Sequence, residues 1–265
     1  MSKPIVYIER HPDEPMGEWA LAAWQGFKWD GYEVRFAFPL QEDLAKGKGG
    51  WSGYYDYPTA EIIRLMPDRP FVGSVTTTMR LFQYWNRQVP KPLNVPDELL
   101  AFAGRPIERL RLEDALLRME ADHRPQFIKP ADEAKLFTGG VVATPAHVAF
   151  LFADLHPDTP VLLSPEINLV TEYRVFVNRD REIAAMRHYL GDPFVRPSKL
   201  FIRKMIDSYT AAPRCYALDV GVTASGKTVV VECNDMWALG TYGMDPAAYS
   251  RMLAQRWHEM ITNLK

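Results

Sequence analysis

Cys215-Tyr-Ala-Leu-Asp219-Val-Gly-Val-Thr223-Ala-Ser-Gly-Lys-Thr228-Val-Val-Val-Glu232-Cys-Asn234 decides how the chain is read. Two strand-forming runs flank Ala224-Ser-Gly-Lys227, where Gly226 can supply the positive φ of a hairpin turn. Pairing Thr223 with Thr228 sets Val222 opposite Val229, Val220 opposite Val231 and Leu218 opposite Cys233, which predicts one apolar, buried face. The same register places Asp219 opposite Glu232 on the other face, with Asn234 two residues along and pointing the same way. Like charges directly opposite each other destabilise a sheet unless a cation or a proton lies between them. Two carboxylates and an amide oxygen form an all-oxygen set suited to Mg²⁺ shared with phosphates, although a solvent-facing acidic hairpin would show the same three residues.

At 265 residues the chain can hold one large or two modest domains with a full core. Its 31 basic and 33 acidic side chains give a formal net charge of -2, which provides no general attraction to nucleic acid or to an anionic membrane. Cys215 and Cys233 fall on opposite faces of the hairpin, so no disulfide is expected between them and a reducing compartment, the cytoplasm, is. No apolar run reaches the length of a bilayer span, so no membrane partner is expected.

Ahead of the hairpin, the N-terminal part reads β-α-β. A strand over 4–8 is followed by a helix over 18–29, in which Trp19, Ala22, Ala23 and Phe27 recur at helical spacing, and by a strand over 32–38. Gly47-Lys-Gly-Gly50 lacks the spacing of a Walker phosphate loop and reads as a surface loop. A strand over 71–75 precedes Thr76-Thr-Thr78, which reads as the cap of a helix carrying Met79, Leu81, Phe82 and Trp85; its N-terminus either receives an anion or is simply capped. The proline-rich stretch 90–106 predicts a boundary between a first part, 1–106, and a second, 107–265.

In the second part, Gln126-Phe-Ile-Lys129-Pro reads as a short strand, and 131–142 carries Lys135 and Thr138-Gly-Gly140, whose backbone can approach a phosphate. The apolar run 161–167 contains Glu166. A second hairpin, 171–177 with 182–188, closes with Val177 opposite Glu182, which sets Arg174 opposite Ala185 and Glu172 opposite Arg187. Glu172, Arg174 and Arg187 then share one face, either as an exposed salt bridge or as part of a charged site. A helix over 197–209 turns Lys199, Arg203 and Lys204 to solvent, and an amphipathic helix over 247–264 closes the chain.

The order of Lys129, Lys135, Glu166, Glu172, Arg187, Asp219, Glu232 and Asn234 resembles the ATP-grasp superfamily. Phe127-Ile-Lys-Pro, Glu172-Tyr-Arg-Val-Phe-Val, Ala185-Met-Arg-His and Val231-Glu-Cys-Asn-Asp are similar to the clade of that superfamily named for two arginines and a lysine. The resemblance covers roughly residues 107 to 265, and its strongest part is an Asp followed thirteen positions later by Glu-x-Asn. It implies an α/β (α+β) ATP-grasp fold, with an N-terminal Rossmann-like α/β lobe that helps hold substrate and a C-terminal lobe of antiparallel hairpins plus helices. It also implies ATP and Mg²⁺ as cofactors. Lys129 and Lys135 would contact phosphates, Glu166 would lie at the adenine hinge and Glu172 would meet the ribose. Asp219, Glu232 and Asn234 would hold the metal, and Arg187, with Arg174 as partner, would face the γ-phosphate and the reacting carboxylate.

The chemistry so implied is carboxylate–amine ligation through an acyl phosphate, with a small-molecule or peptide carboxylate and an amine as partners. A small-molecule kinase or a non-catalytic nucleotide-binding module would use the same residues. Two features depart from the family pattern: the glycine-rich lid is shorter, and Asp235-Met-Trp-Ala-Leu-Gly240 stands where many members have a proline-glycine turn.

Overall fold

In the computed structural model, residues 3–10, 15–37, 67–143, 152 and 154–263 are described. Phe38 and the Gly47–Gly50 loop fall outside them. The expected β-α-β unit is present as β1 (Ile5–Glu9), α1 (Glu18–Trp29) and β2 (Glu33–Ala37). Parallel neighbours need a crossover, and α1 supplies it, burying Ala20, Ala23 and Phe27. β3 (Phe71–Val72) adds to the other edge, giving a parallel sheet in the order β2-β1-β3.

Helix α2 (Val75–Tyr84) starts ahead of the threonine run, and its cap is Ser74, whose Oγ accepts the Thr77 N–H at 3.2 Å. Thr77 and Thr78 are buried within the first turn. The buried Glu9 carboxylate, at the end of β1, accepts from the Ser74 N–H and, at 2.8 Å, from the Thr77 hydroxyl. A side chain of the protein therefore already occupies the anion position at this N-terminus.

The remainder forms two antiparallel four-stranded sheets. One contains β4 (Glu108–Arg111), β5 (Gln126–Pro130), β6 (Gly140–Val142) and β7 (Pro160–Pro165) in the order β4-β7-β5-β6, with α3 (Leu112–Asp122) packed on it through Leu112, Ala115 and Met119. The other contains β8 (Leu169–Val177), β9 (Ile183–Gly191), β10 (Tyr216–Thr223) and β11 (Thr228–Asp235) in the order β11-β10-β8-β9. Between β9 and β10 lies α4 (Lys199–Ser208), capped by Ser198, with Lys199, Arg203 and Lys204 exposed. The last helix, α5 (Pro246–Asn263), starts with proline at its first position and with the Asp245 carboxylate accepting the Ala248 N–H at 2.9 Å.

β10 is central in its sheet and buried on both faces. Tyr216, Leu218 and Val220 meet Ile202, Met205 and Ile206 of α4, each of which stabilises the fold by about 1.5–3 kcal/mol through burial. On the opposite face, Ala217 and Phe176 join Val6, Ile8 and residues of α1 and α5 in a second core. Cys215 and Cys233 are free and buried in these two different cores.

Both hairpin registers differ from simple alternation. Near its turn β10 pairs Val222 with Thr228, Gly221 with Val229 and Val220 with Val230, so the expected pairs of Val222 with Val229 and Val220 with Val231 do not form. An irregularity between Asp219 and Val220 then restores Asp219 opposite Glu232 and Leu218 opposite Cys233. In β8–β9 the turn closes with Val177 opposite Ile183, and an irregularity after Phe176 then sets Arg174 opposite Arg187, replacing the expected pairing of Arg187 with Glu172; a second irregularity, after Glu172, leaves Glu172 opposite Leu190. Residue parity is kept, so Arg174 and Arg187 remain on one face.

Candidate active site

The sheet face that carries Phe176 and Ala217 is core at one end and polar further along. One rung onward, four charged residues stand abreast: Arg187 of β9 opposite Arg174 of β8, Arg174 opposite Asp219 of β10, and Asp219 opposite Glu232 of β11. Arg174 donates to both oxygens of Asp219, through Nε at 2.8 Å and Nη2 at 2.7 Å, in a two-bond fork that fixes orientation as well as charge. Lys129, on β5 of the facing sheet, donates from Nζ to Glu232 Oε2 at 2.6 Å. Asn234 Nδ2 donates to Asp219 Oδ2 at 3.0 Å and to Glu232 Oε1 at 2.9 Å. The repulsion between opposed carboxylates is thus relieved by Arg174, Lys129 and the Asn234 amide, which turns its nitrogen toward them.

Burial pushes the Asp219 carboxyl above the usual carboxylate range, against the pull of Arg174. At Glu232 burial also acts upward, but the charge and hydrogen bond of Lys129 and the Asn234 amide outweigh it and hold the carboxyl below its ordinary value. For Arg174, burial disfavours the charge, and the hydrogen bonds and negative charge of Asp219, with smaller contributions from Tyr242 and Tyr189, together more than offset this. Arg187 is different: its Nε is buried and has no hydrogen-bond partner among the described residues.

Two clefts meet at the Lys129–Glu232 pair. The first lies between the two four-stranded sheets; apolar Phe127, Leu162 and Leu169 line it, and Arg105, Glu166 and Glu172 bring charge to it. The second carries Lys91, Lys129, Lys135 and Gly139 on one side and Glu232, Asn234 and Trp237 on the other. Gly139 permits the close approach here, since a Cβ at that position would come within 2.8 Å of Lys129 Cβ, whereas Gly140 faces open space. Lys135 is exposed and adopts a left-handed φ of 64°. Glu172 accepts from the Tyr189 hydroxyl at 2.7 Å, and burial together with the nearby Asp219 and Glu172 charges raises the Tyr189 pKa.

Several residues of the site give no signal in the linear pattern. Arg105, in the proline-rich connection, reaches the first cleft and donates to the Ala103 carbonyl at 3.1 Å; burial lowers its pKa, while Glu172 and Glu232 oppose that. Asn94 lines both clefts, and its carbonyl accepts the Cys233 N–H at 2.5 Å, between Glu232 and Asn234. Tyr242, with a φ of 48°, lies against the Arg174 guanidinium at 4.8 Å from its ring centroid. It belongs to the segment that follows Asn234, where Met236–Ala238 forms a short 3₁₀ turn. These contacts depend on chain reversals that residue spacing does not encode; an aromatic with positive φ becomes conspicuous only in coordinates.

Two antiparallel sheets facing each other across a cleft, with a lysine on one and paired acids on the other, define an ATP-grasp fold. The chain belongs to family 2 of the ATP-grasp clade named for two arginines and a lysine, whose domain model matches residues 102–252. Among solved structures, it is similar to PurK, an N5-carboxyaminoimidazole ribonucleotide synthetase determined with ADP, at 12% identity and a TM-score of 0.62, covering 95% of this chain and 77% of that one. It is also similar to the D-cycloserine synthetase DcsG, at 14% identity and a TM-score of 0.55 over 96% and 99% of the two chains. The VanG D-Ala:D-Ser ligase from Enterococcus faecalis gives 12% identity and a TM-score of 0.54 over 99% of each chain. At these identities the likeness shows the fold. No curated protein matches the sequence significantly.

Among the described residues, no group of three or more His, Cys, Asp or Glu side chains stands arranged to hold a metal ion. The donor chemistry nevertheless fits a hard divalent cation. Asp219 Oδ2 and Glu232 Oε1 both lie within 3.0 Å of the one Asn234 nitrogen, so two carboxylate oxygens converge on a single point.

Proposed function

We propose that the protein is an ATP- and Mg²⁺-dependent ligase that joins a small-molecule or peptide carboxylate to an amine through an acyl phosphate. One observation carries this reading: the rung Arg187–Arg174–Asp219–Glu232, whose end residue Arg187 keeps a buried donor unpartnered among the described residues, beside an otherwise neutralised set of charges. A buried guanidinium nitrogen without an acceptor is costly unless an anion completes it. The synthetases and ligases among the similar structures support the choice of reaction class.

In this reading the base and ribose enter the apolar cleft, with Glu166 at the hinge and Glu172 at the ribose. Lys129 and Lys135 take the phosphates. Asp219, Glu232 and Asn234 hold Mg²⁺, which when bound neutralises phosphate charge and fixes the line of transfer. Arg187 stabilises charge developing on the transferred group and the reacting carboxylate. Arg174 holds Asp219 in place and borders the same group. Residues 1–106 are proposed to help hold the substrate, residues 107–265 to bind nucleotide, and the cytoplasm is the proposed location. No helix among the described residues is long and apolar enough to cross a membrane.

Product analysis over a panel of carboxylates and amines tests the proposal. ADP and free phosphate appearing only when both acceptors are present is the expected result. A stable phosphorylated product would indicate a kinase, and nucleotide binding without turnover across the panel would favour a binding module.

A further inference from the structure

Every ligand proposed for the metal is engaged by another part of the protein. Both oxygens of Asp219 are held by Arg174, one oxygen of Glu232 is held by Lys129, and the Asn234 amide presents its nitrogen to both acids. These engagements differ in how readily they open. The Arg174–Asp219 pair lies deep in the sheet, with side chains 10% and 3% exposed, whereas those of Lys129 and Glu232 are 22% and 31% exposed. The Arg174 pair also lies within one sheet, between adjacent strands. The Lys129 pair spans two sheets, and Lys129 borders both clefts, so its ammonium group can leave Glu232 for either one.

Building on the ATP site proposed above, we infer that Lys129 is an exchangeable counter-ion that makes metal binding conditional on nucleotide binding. In the nucleotide-free protein its ammonium group neutralises Glu232 and competes with any divalent cation for that carboxylate. A cation arriving alone must leave the ammonium in a partly desolvated cleft without an acceptor, beside a new double positive charge. Nucleotide phosphates remove that obstacle, because they accept from Lys129 while sharing the cation with the two acids. Asn234 then has to turn its amide by about half a revolution, exchanging an N–H₂ group that suits bare carboxylates for an oxygen that suits a cation. By linkage, nucleotide and metal raise each other's affinity by one common factor.

The test uses Mn²⁺ as the probe, with unbound Mn²⁺ counted by electron paramagnetic resonance. Full-length wild type is titrated without nucleotide and with a non-hydrolysable ATP analogue, after correction for Mn²⁺ held by the analogue in solution. Analogue binding is followed separately by calorimetry. Wild type should bind Mn²⁺ about tenfold or more tightly once the analogue is present. Lys129→Met should bind Mn²⁺ without nucleotide about tenfold more tightly than wild type does, whereas Lys129→Arg, which keeps the positive charge, should not. The wild-type comparison stands even if a variant fails to fold. Equal Mn²⁺ affinity with and without a bound analogue would overturn the inference and leave the ATP site standing. Absence of analogue binding under all conditions would remove the ATP reading, and the inference with it.

Discussion

Arg174 and Arg187 face each other across neighbouring strands, yet they sit in opposite electrostatic circumstances. At the centre of the sheet, Arg174 is closed on Asp219 by two charge-assisted hydrogen bonds and lies beside the Tyr242 ring. At the outer strand, Arg187 keeps a buried Nε without a partner among the described residues. The acids show the same division, since Asp219 is paired within the sheet while Glu232, on the other outer strand, is paired with a lysine from a different sheet. The middle of the rung is therefore clasped within its own sheet, whereas neither end is.

Breaking the centre should have the largest effect. Arg174→Met leaves Asp219 buried with one amide donor in place of a bidentate cation, and should cost about 3–5 kcal/mol of unfolding free energy in a denaturant titration. A loss below about 1 kcal/mol would mean that the central pair is not a structural clasp. At the outer strand the balance should reverse. Arg187→Met should lower turnover about 10²–10³-fold, measured as phosphate release with the true acceptors, while leaving unfolding free energy unchanged or raising it, since the substitution removes a buried unpaired donor. A variant that loses stability but keeps turnover would exchange the roles assigned to the two arginines.

The smallest effect belongs to the bridging pair. Lys129 and Asn234 hold the folded-state pKa of Glu232 below its unfolded value, against burial, so the contribution is fully present above about pH 4.3 and is lost as pH falls through the folded value. The melting-temperature advantage of wild type over Glu232→Gln should therefore narrow from about pH 7 toward about pH 3. A gap that stays constant with pH would show that the carboxylate is not selectively stabilised in the fold.

The division between centre and ends also marks how far the sequence could be read. Period-two alternation put Asp219, Glu232 and Asn234 on one face, and Arg174 with Arg187 on one face, because parity survives a turn that moves every pair by one when a bulge moves them once more. Which residue faces which was not legible: Arg187 meets Arg174 rather than Glu172 because the turn closes one residue further along and β8–β9 is irregular after Phe176, neither of which the residue pattern announces. The α1 boundaries followed from helical spacing, whereas the cap of α2 was misplaced because its threonines look like caps and are buried in its first turn. The residue pattern places Lys129 on a strand, but its partner Glu232 lies 103 residues away and follows only from the fold. Arg105, Asn94 and Tyr242 entered the site only through tertiary folding.

The most direct test of the central claim, that this rung and the facing lysine form a metal-dependent ATP site, is a melting scan of wild type with saturating ATP, with Mg²⁺ and with a chelator. A ligand that binds only the folded state stabilises it by mass action, about 2.7 kcal/mol at a hundredfold excess over Kd. A clear rise in Tm with ATP and Mg²⁺, mostly abolished by the chelator, is the predicted result; no metal-dependent shift at saturating ATP would contradict it.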